Sequence, residues 1–311
     1  MMSKPKVLFI GDLDESLPQF HQFKENYEPL VIGYDAYDTE ALKSKNIQFF
    51  NTPSLGADHV ADLVLWHVLE SFRRFSSFQK ETQNLPHTVK VRSDLQSHGY
   101  DQKHGKLGTE QTQWERESYP FGHILGGQVI EGPSGRNVGL VGFGNIGQKI
   151  GKRLNALGMK ISYHTRNELS SDDVDKLGFG VQFYKKIDDL VSQNDVVIIC
   201  CPGNKSTLNL LNKDILDKAK PNSKFINVGR GFIIDEDHLI TKLEKGEIGF
   251  IGLDVFTGEP VINPRLLNRP DVSLTPHIGS STKDVFDNTA IFSLQNIVDS
   301  LQGKEGRSRI V

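Results

Sequence analysis

The stretch Val138 to Gly158, VGLVGFGNIGQKIGKRLNALG, decides how the chain is read. It opens on a short apolar run, a predicted strand at Val138–Gly142. Gly142, Gly144 and Gly147 then form a Gly-x-Gly-x-x-Gly turn. Beyond it, Ile150, Leu154 and Leu157 share one helical face, and Gly158 stands where a C-cap glycine belongs. Three spaced glycines alone are a weak signal. Between an apolar strand and an amphipathic helix they are a strong one. Gly142 permits the tight turn, Gly144 has no side chain to block a pyrophosphate, and Gly147 lets helix and strand pack closely. The helix start, at Asn145, Ile146 and Gly147, favours negative charge. The expectation is a dinucleotide-binding turn.

The end of the following strand, predicted at Lys160–His164, tells NAD from NADP. A carboxylate there would bind the ribose 2′-hydroxyl and repel a 2′-phosphate. The residues are Tyr163-His164-Thr165-Arg166-Asn167, with no carboxylate among them. Arg166, with Thr165 beside it, is available for a 2′-phosphate. NADP is the preferred cofactor on this reading, with NAD as the alternative.

Outward from this unit the pattern repeats. Strands are predicted at Val181–Tyr184, Val196–Cys201, Lys224–Val228, Phe250–Val255 and Val272–Thr275, with helical patterns between several of them, at Gln148–Leu157 and Glu236–Lys245 among others. Short continuous apolar strands alternating with helices predict α/β architecture, a doubly wound parallel sheet covered on both faces. An amphipathic helix at Asp284–Leu301 closes the chain. Towards the N-terminus, strands are expected at Lys6–Ile10, Leu30–Gly33 and Ile47–Phe50. The segment Gly56–Arg74 reads as a helix apolar nearly all round, hence buried between domains or subunits. Residues 75–135 are polar, without sustained periodicity, and are expected to be a partly irregular excursion. His98 and His104 lie there, and no metal role is expected for them because no third ligand stands at suitable spacing.

The composition sets bounds on this reading. The 311 residues are 37% apolar and 24% charged, ordinary for one or two globular domains. The net charge of −3 without a basic tract makes nucleic acid an unexpected partner. No apolar run approaches the ~18 residues that span a bilayer. The two cysteines, Cys200 and Cys201, are adjacent, which excludes a disulfide framework and fits a reducing, cytoplasmic compartment.

Three more fragments carry titratable groups just after predicted strands: NVGRG with Arg230, LDVFTGEP with Glu259, and TPHIGS with His277. In an open parallel sheet the carboxyl ends of the strands are where ligands bind. In this order, with NTP and the glycine turn before them, the motifs resemble the D-2-hydroxyacid dehydrogenase family, and within it the fungal glyoxylate and hydroxypyruvate reductases. The resemblance implies Arg230, Glu259 and His277 as the catalytic set. Reducing a 2-oxo acid needs a proton donor to the forming alkoxide and a cation for the carboxylate. His277 suits the first role, since histidine exchanges protons near neutrality. Glu259 beside the ring would hold it and favour the imidazolium. Arg230 offers a planar fork for the carboxylate.

Other positions follow from the resemblance. Asp254 matches a nicotinamide-carboxamide ligand, with a strand-end cap as the alternative. Pro202, with Cys201 before it, matches the adenine side. Val228 and Gly229 match backbone contacts near the nicotinamide, and Gly279 lets backbone approach the cofactor. Val31, Ile32 and Gly33 resemble the loop that offers amides to the substrate carboxylate.

The N-terminal third departs from the family pattern, with room for fewer strand–helix units. The expected organisation is therefore a Rossmann domain over residues 54–283 and a smaller, shortened flavodoxin-like substrate domain from residues 1–53 plus 284–311. The family resemblance also implies a homodimer. The implied activity is NAD(P)-dependent reduction of a small 2-oxo acid, such as glyoxylate or hydroxypyruvate, to the D-2-hydroxy acid. Fold does not settle function. The alternative is a catalytically weak or inactive paralogue acting as a dinucleotide-sensing, corepressor-like interaction protein.

Overall fold

The computed structural model describes residues 6–10, 28–32, 44, 50, 52, 55–111 and 120–307. The chain divides into two compact units, one joining Met1–Gly56 with Ser280–Val311, the other running Ala57–Gly279. The first carries two parallel strands, β1 (Lys6–Ile10) and β2 (Glu28–Ile32), paired from Lys6 opposite Glu28 to Ile10 opposite Ile32. It also holds the closing helix, Lys283–Leu301, capped by Thr282, whose hydroxyl accepts the Val285 N–H at 3.3 Å. Residues 33–35 of the expected substrate loop, and 47–49 of the expected third strand, lie outside the described residues.

The second unit begins with helix α1 (Ala57–Arg73). The polar segment that follows is more regular than its composition suggests. It forms α2 (Phe75–Asn84) and α3 (Thr88–Ser97), then two antiparallel hairpins, β3 (His98–Asp101) with β4 (Lys106–Gln111) and β5 (Ile124–Leu125) with β6 (Gln128–Val129). The expectation of a partly irregular excursion is corrected over this stretch. Its helices bury little, so no apolar period marks them. Val91, Leu95 and Leu125 form a small satellite core with Phe78, Leu85 and Ile130 packed on it. His98 Nδ1 contacts the Asp94 carbonyl oxygen at 2.7 Å and His104 Nδ1 contacts Asp101 at 2.6 Å, both local contacts.

The rest is a seven-stranded parallel sheet with α-helices between the strands. In chain order come β7 (Asn137–Val141), α4 (Asn145–Ala156), β8 (Lys160–His164), α5 (Ser171–Leu177), β9 (Val181–Phe183), α6 (Ile187–Gln193) and β10 (Val196–Ile199). Then follow α7 (Lys213–Leu216), β11 (Lys224–Asn227), α8 (Glu236–Glu244), β12 (Phe250–Leu253) and β13 (Val272–Leu274). The spatial order is β13-β12-β11-β10-β7-β8-β9.

Strand β10 shows why these apolar runs become central strands. All four residues are fully buried. Val196 and Ile198 pack with Val64 and Val68 of α1 and Ile150 and Leu154 of α4, whereas Val197 and Ile199 pack with Leu190 of α6 and Leu239 and Leu243 of α8. Side chains alternate across a strand, so a strand covered on both faces must be apolar at every position. Helix α1 buries one face, at Ala61, Val64, Val68 and Phe72, while Asp58, Asp62, Trp66 and Arg73 are exposed. The all-round burial expected of it is corrected to a single buried face in this chain.

The order of strands places the site. From β7 the chain steps outward through β8 and β9, then returns to β10 on the other side of β7. This reversal leaves a crevice at the carboxyl ends of β7 and β10, the usual ligand position of an open α/β sheet. Truncating Ile198→Ala at the centre of the sheet should cost about 2–5 kcal/mol of stability. Urea unfolding followed by far-UV circular dichroism checks this; an unchanged midpoint would mean the two cores are not continuous through β10.

Candidate active site

The carboxyl ends of six neighbouring strands carry the residues singled out from sequence. Gly142 follows β7 with a φ of +100°, a conformation that glycine adopts without strain. A Cβ there would lie 2.7 Å from the Cys201 backbone nitrogen, so the loops after β7 and β10 touch at the crevice. The Cys200 thiol lies 3.1 Å from the Gly142 carbonyl oxygen, and burial pushes the Cys201 thiol up to about 11. Neither cysteine is poised as a thiolate nucleophile.

The turn itself fits a dinucleotide. A Cβ on Gly144 would meet nothing within 4 Å, so the space above the helix start is open. On Gly147 it would lie 2.5 Å from the Gly142 carbonyl oxygen, which is the close packing of α4 on its strand. Gly144 is the N-cap of α4 and supplies no side-chain cap. A helix leaves its first-turn N–H groups without acceptors of its own, so the start of α4 is a position that suits phosphate oxygens. At the end of β8 the exposed Arg166 follows Thr165, whose hydroxyl donates to the Asn167 carbonyl at 2.6 Å. Pro202 offers its carbonyl to the Thr207 hydroxyl at 2.9 Å.

After β11 the chain turns on Asn227, which is buried. Its Oδ1 accepts the Gly229 N–H and its Nδ2 donates to the Arg230 carbonyl, both at 3.0 Å. Val228 bonds back to the Ile199 carbonyl at 3.0 Å. Arg230 is exposed, with Nη1 donating to the Gly229 carbonyl at 2.8 Å. Gly231 sits where a Cβ would fall 2.0 Å from the Phe256 backbone, so only glycine allows the Arg230 loop to lie on the loop after β12. Asn227 and Gly231 were not singled out from sequence. Their signal is the NVGRG motif itself, of which only Val228, Gly229 and Arg230 were used.

Glu259 and His277 meet directly, with Nδ1 of the ring 3.0 Å from Oε2. The other carboxylate oxygen, Oε1, accepts the Phe256 N–H at 2.9 Å. Burial raises the Glu259 carboxyl, but the Phe256 N–H, His277 and the Arg230 charge outweigh it and hold the group below its ordinary value. An ionised carboxylate can only accept, so Nδ1 of His277 carries its proton towards Glu259. Nε2 is then the atom at which a proton is held or released.

Asp254 ends β12 almost fully buried. Its Oδ1 accepts the Thr275 hydroxyl at 2.7 Å and the Ile278 N–H at 2.9 Å, and its Oδ2 accepts the Gly279 N–H at 2.9 Å. This is the strand-end cap weighed as the alternative to a nicotinamide contact. It closes the loop on which His277 stands with a φ of +57°. What Gly279 approaches closely is the Asp254 side chain of this clamp: a Cβ there would lie 2.9 Å from Oδ2. Ile32 pairs with Ile10 in the other unit, and Gly33 lies outside the described residues. Among the described residues no cluster of metal-ligating side chains occurs, and no helix is long and apolar enough to cross a membrane.

The Glu259 carboxyl gives a sign for acid stability. Its folded value is depressed, so the ionised group favours the fold above its ordinary value of 4.5, and that contribution is lost as pH falls through the folded value. Glu259→Gln should lower Tm near neutrality and converge with the wild type in acid. Thermal melts across that range check this, and a deficit independent of pH would remove the ionic contribution.

Comparisons with known proteins give the family. A family model described as "D-isomer specific 2-hydroxyacid dehydrogenase, NAD binding domain" matches residues 102–279. A Saccharomyces cerevisiae protein named as a candidate 2-hydroxyacid dehydrogenase is 30% identical over 99% of this chain and 82% of its own length. An Arabidopsis thaliana glyoxylate/hydroxypyruvate reductase is 30% identical over 86% of this chain and 70% of its own. Among solved structures, an NADPH-dependent glyoxylate/hydroxypyruvate reductase from Sinorhizobium meliloti, in complex with NADP and malonate, superposes with a TM-score of 0.75. It covers 99% of this chain and 97% of its own at 24% identity, a likeness of fold. The glycine turn, the parallel sheet and the matched span together make this chain a member of the D-isomer specific 2-hydroxyacid dehydrogenase family, with that family's NAD-binding domain in its larger unit.

Proposed function

We propose that this protein is an NADPH-preferring reductase of small 2-oxo acids, glyoxylate and hydroxypyruvate foremost, yielding D-2-hydroxy acids. The observation that carries the reading is the 3.0 Å pair of His277 and Glu259 on the same sheet edge as the glycine turn. The plant relative's name supports the substrate class.

The nicotinamide cofactor supplies the hydride when bound. The residues of the chain do the rest. Asn145, Ile146 and Gly147 bind the pyrophosphate at the start of α4. Thr165 and Arg166 bind the 2′-phosphate. Cys201 and Pro202 border the adenine side, and Val228, Gly229, Asp254 and Gly279 border the nicotinamide. Arg230 swings its guanidinium from the Gly229 carbonyl to the substrate carboxylate, where both partners are charged and the fork can hold two oxygens. His277 donates the Nε2 proton to the substrate oxygen as alkoxide forms, and accepts it there in the reverse direction. Glu259 fixes the ring through Nδ1. The larger unit is the cofactor domain. The unit of Met1–Gly56 with Ser280–Val311 is the substrate domain, and the protein works as a cytoplasmic homodimer.

NADPH and NADH oxidation with glyoxylate, hydroxypyruvate, pyruvate and phenylglyoxylate tests the reading, with glyoxylate or hydroxypyruvate expected to be fastest with NADPH. Cofactor binding without turnover on any of the four would reject it. His277→Ala should lower kcat by about 10²–10⁴, with NADPH affinity, read by fluorescence, nearly unchanged. Full activity would exclude His277 as the proton donor. Arg166→Ala should raise the Kd for NADPH about tenfold, by loss of one charge-assisted contact of ~1.4 kcal/mol, and leave that for NADH within about twofold. Equal losses would refute the 2′-phosphate role.

A further inference from the structure

Helix α1 buries a histidine that none of the roles above uses. His67 is fully buried on the face turned to the sheet. Its ring fits beside Gly252 of β12, where a Cβ would lie 3.0 Å from Nδ1. Nδ1 lies 2.6 Å from the Ser273 hydroxyl, and Nε2 lies 3.4 Å from the Thr275 hydroxyl. Burial drives the ring down to about 3, so it is neutral at physiological pH.

The proton on each atom can be assigned by elimination. The Asp254 carboxylate can only accept, so the Thr275 hydroxyl spends its one proton on Oδ1. Towards His67 that hydroxyl must therefore accept, and Nε2 must carry the N–H. A neutral ring has one N–H, so Nδ1 is bare and receives the Ser273 proton. The result is a one-directional chain, Ser273 to His67 to Thr275 to Asp254. Each bond in such a chain polarises the next. It ends on the carboxylate that accepts the Ile278 and Gly279 N–H groups, immediately beyond His277. His277 itself sits at a φ of +57°, a costly position for a residue with a Cβ that persists only where its surroundings hold it.

We propose that His67 is a positioning residue of the His277 site: its Nε2–H, directed by Ser273, orients Thr275 and Asp254 so that the Asp254 carboxylate holds the backbone flanking His277. Among the described residues, His67 makes its side-chain hydrogen bonds to Ser273 and Thr275, not to the proton-transferring ring or the dinucleotide turn. It acts from the opposite side of the clamp, linking α1 to the catalytic loop. This inference rests on the reductase reading only for its kinetic consequence, while the tautomer it requires is independent of any activity.

The test has two arms on the full-length protein. In the first, histidine is labelled with ¹⁵N and the ring nitrogens are correlated with their carbon-bound protons. His67, identified by its loss in His67→Gln, should show the neutral Nε2–H tautomer throughout pH 5 to 8. An Nδ1–H tautomer, or titration like a free histidine, would overturn the proposal. In the second, variants separate the two nitrogens. Glutamine places an amide near Nε2 and asparagine near Nδ1. His67→Gln should keep kcat within about twofold, whereas His67→Asn and His67→Leu should lower it on the order of tenfold with KM for NADPH little changed. Thr275→Val breaks the chain one link later and should match them if the His67 variants fail to fold. Wild-type kcat in folded His67→Leu or Thr275→Val would overturn the proposal. An inactive wild type would instead count against the reductase reading, and the tautomer would still decide the role of His67.

Discussion

A parallel sheet with helices on both faces leaves only its strand ends for chemistry, and the organisation of this molecule follows from that burial. Every residue of β10 and β12 is buried, and β11 is buried at all but its first position. Such strands carry no polar side chain to solvent through either face. The polar residues Asn227, Asp254 and Thr275 come at or just beyond the last ladder positions. There the backbone leaves the sheet and side chains can meet. The strand reversal between β7 and β10 then selects one stretch of that edge for the dinucleotide.

Close backbone approach converts neighbouring strand ends into one site. The loops after β7 and β10 touch at Gly142, and those after β11 and β12 touch at Gly231. These contacts leave no room for a Cβ, so sequence freedom is lost where the loops must meet. Side-chain bonds do the remaining positioning. Asn227 ties the turn that holds Arg230, Glu259 is fixed by the Phe256 N–H before it meets His277, and Asp254 fastens the loop after β13. Two histidines bear on that loop in opposite environments. His277 is exposed and paired with a carboxylate, whereas His67 is fully buried and held neutral between two hydroxyls. The same side chain is open and carboxylate-paired in one place and enclosed between hydroxyls in the other.

Much of the sheet was legible in the sequence, because each central strand is a short apolar run with a turn after it. Lys160–His164 and Lys6–Ile10 begin and end where the apolar pattern does. The run Val196–Cys201 outlasts its strand, which stops at Ile199, and the two cysteines beyond it pack against the loop at Gly142. Helices α2 and α3 were not legible. They lie largely on the surface and bury only Val91, Leu95 and Gln96, too short a stripe to mark a helix, and their first turns are set by backbone geometry and the His87 cap. His67 was equally silent, since it is one of several polar positions on a helix whose buried face is mostly apolar.

By itself the sequence determined the fold class, the phosphate turn and the order of the three titratable motifs. Each of these is written in contiguous residues whose spacing obeys helix or strand geometry. Only the tertiary structure decided which atoms meet. It paired His277 with Glu259, set three donors on Asp254 and placed His67 between the Ser273 and Thr275 hydroxyls. Those contacts join residues from separate strands and from α1, a helix far away along the chain. Their partners are chosen by strand order and loop contact, which no local pattern encodes.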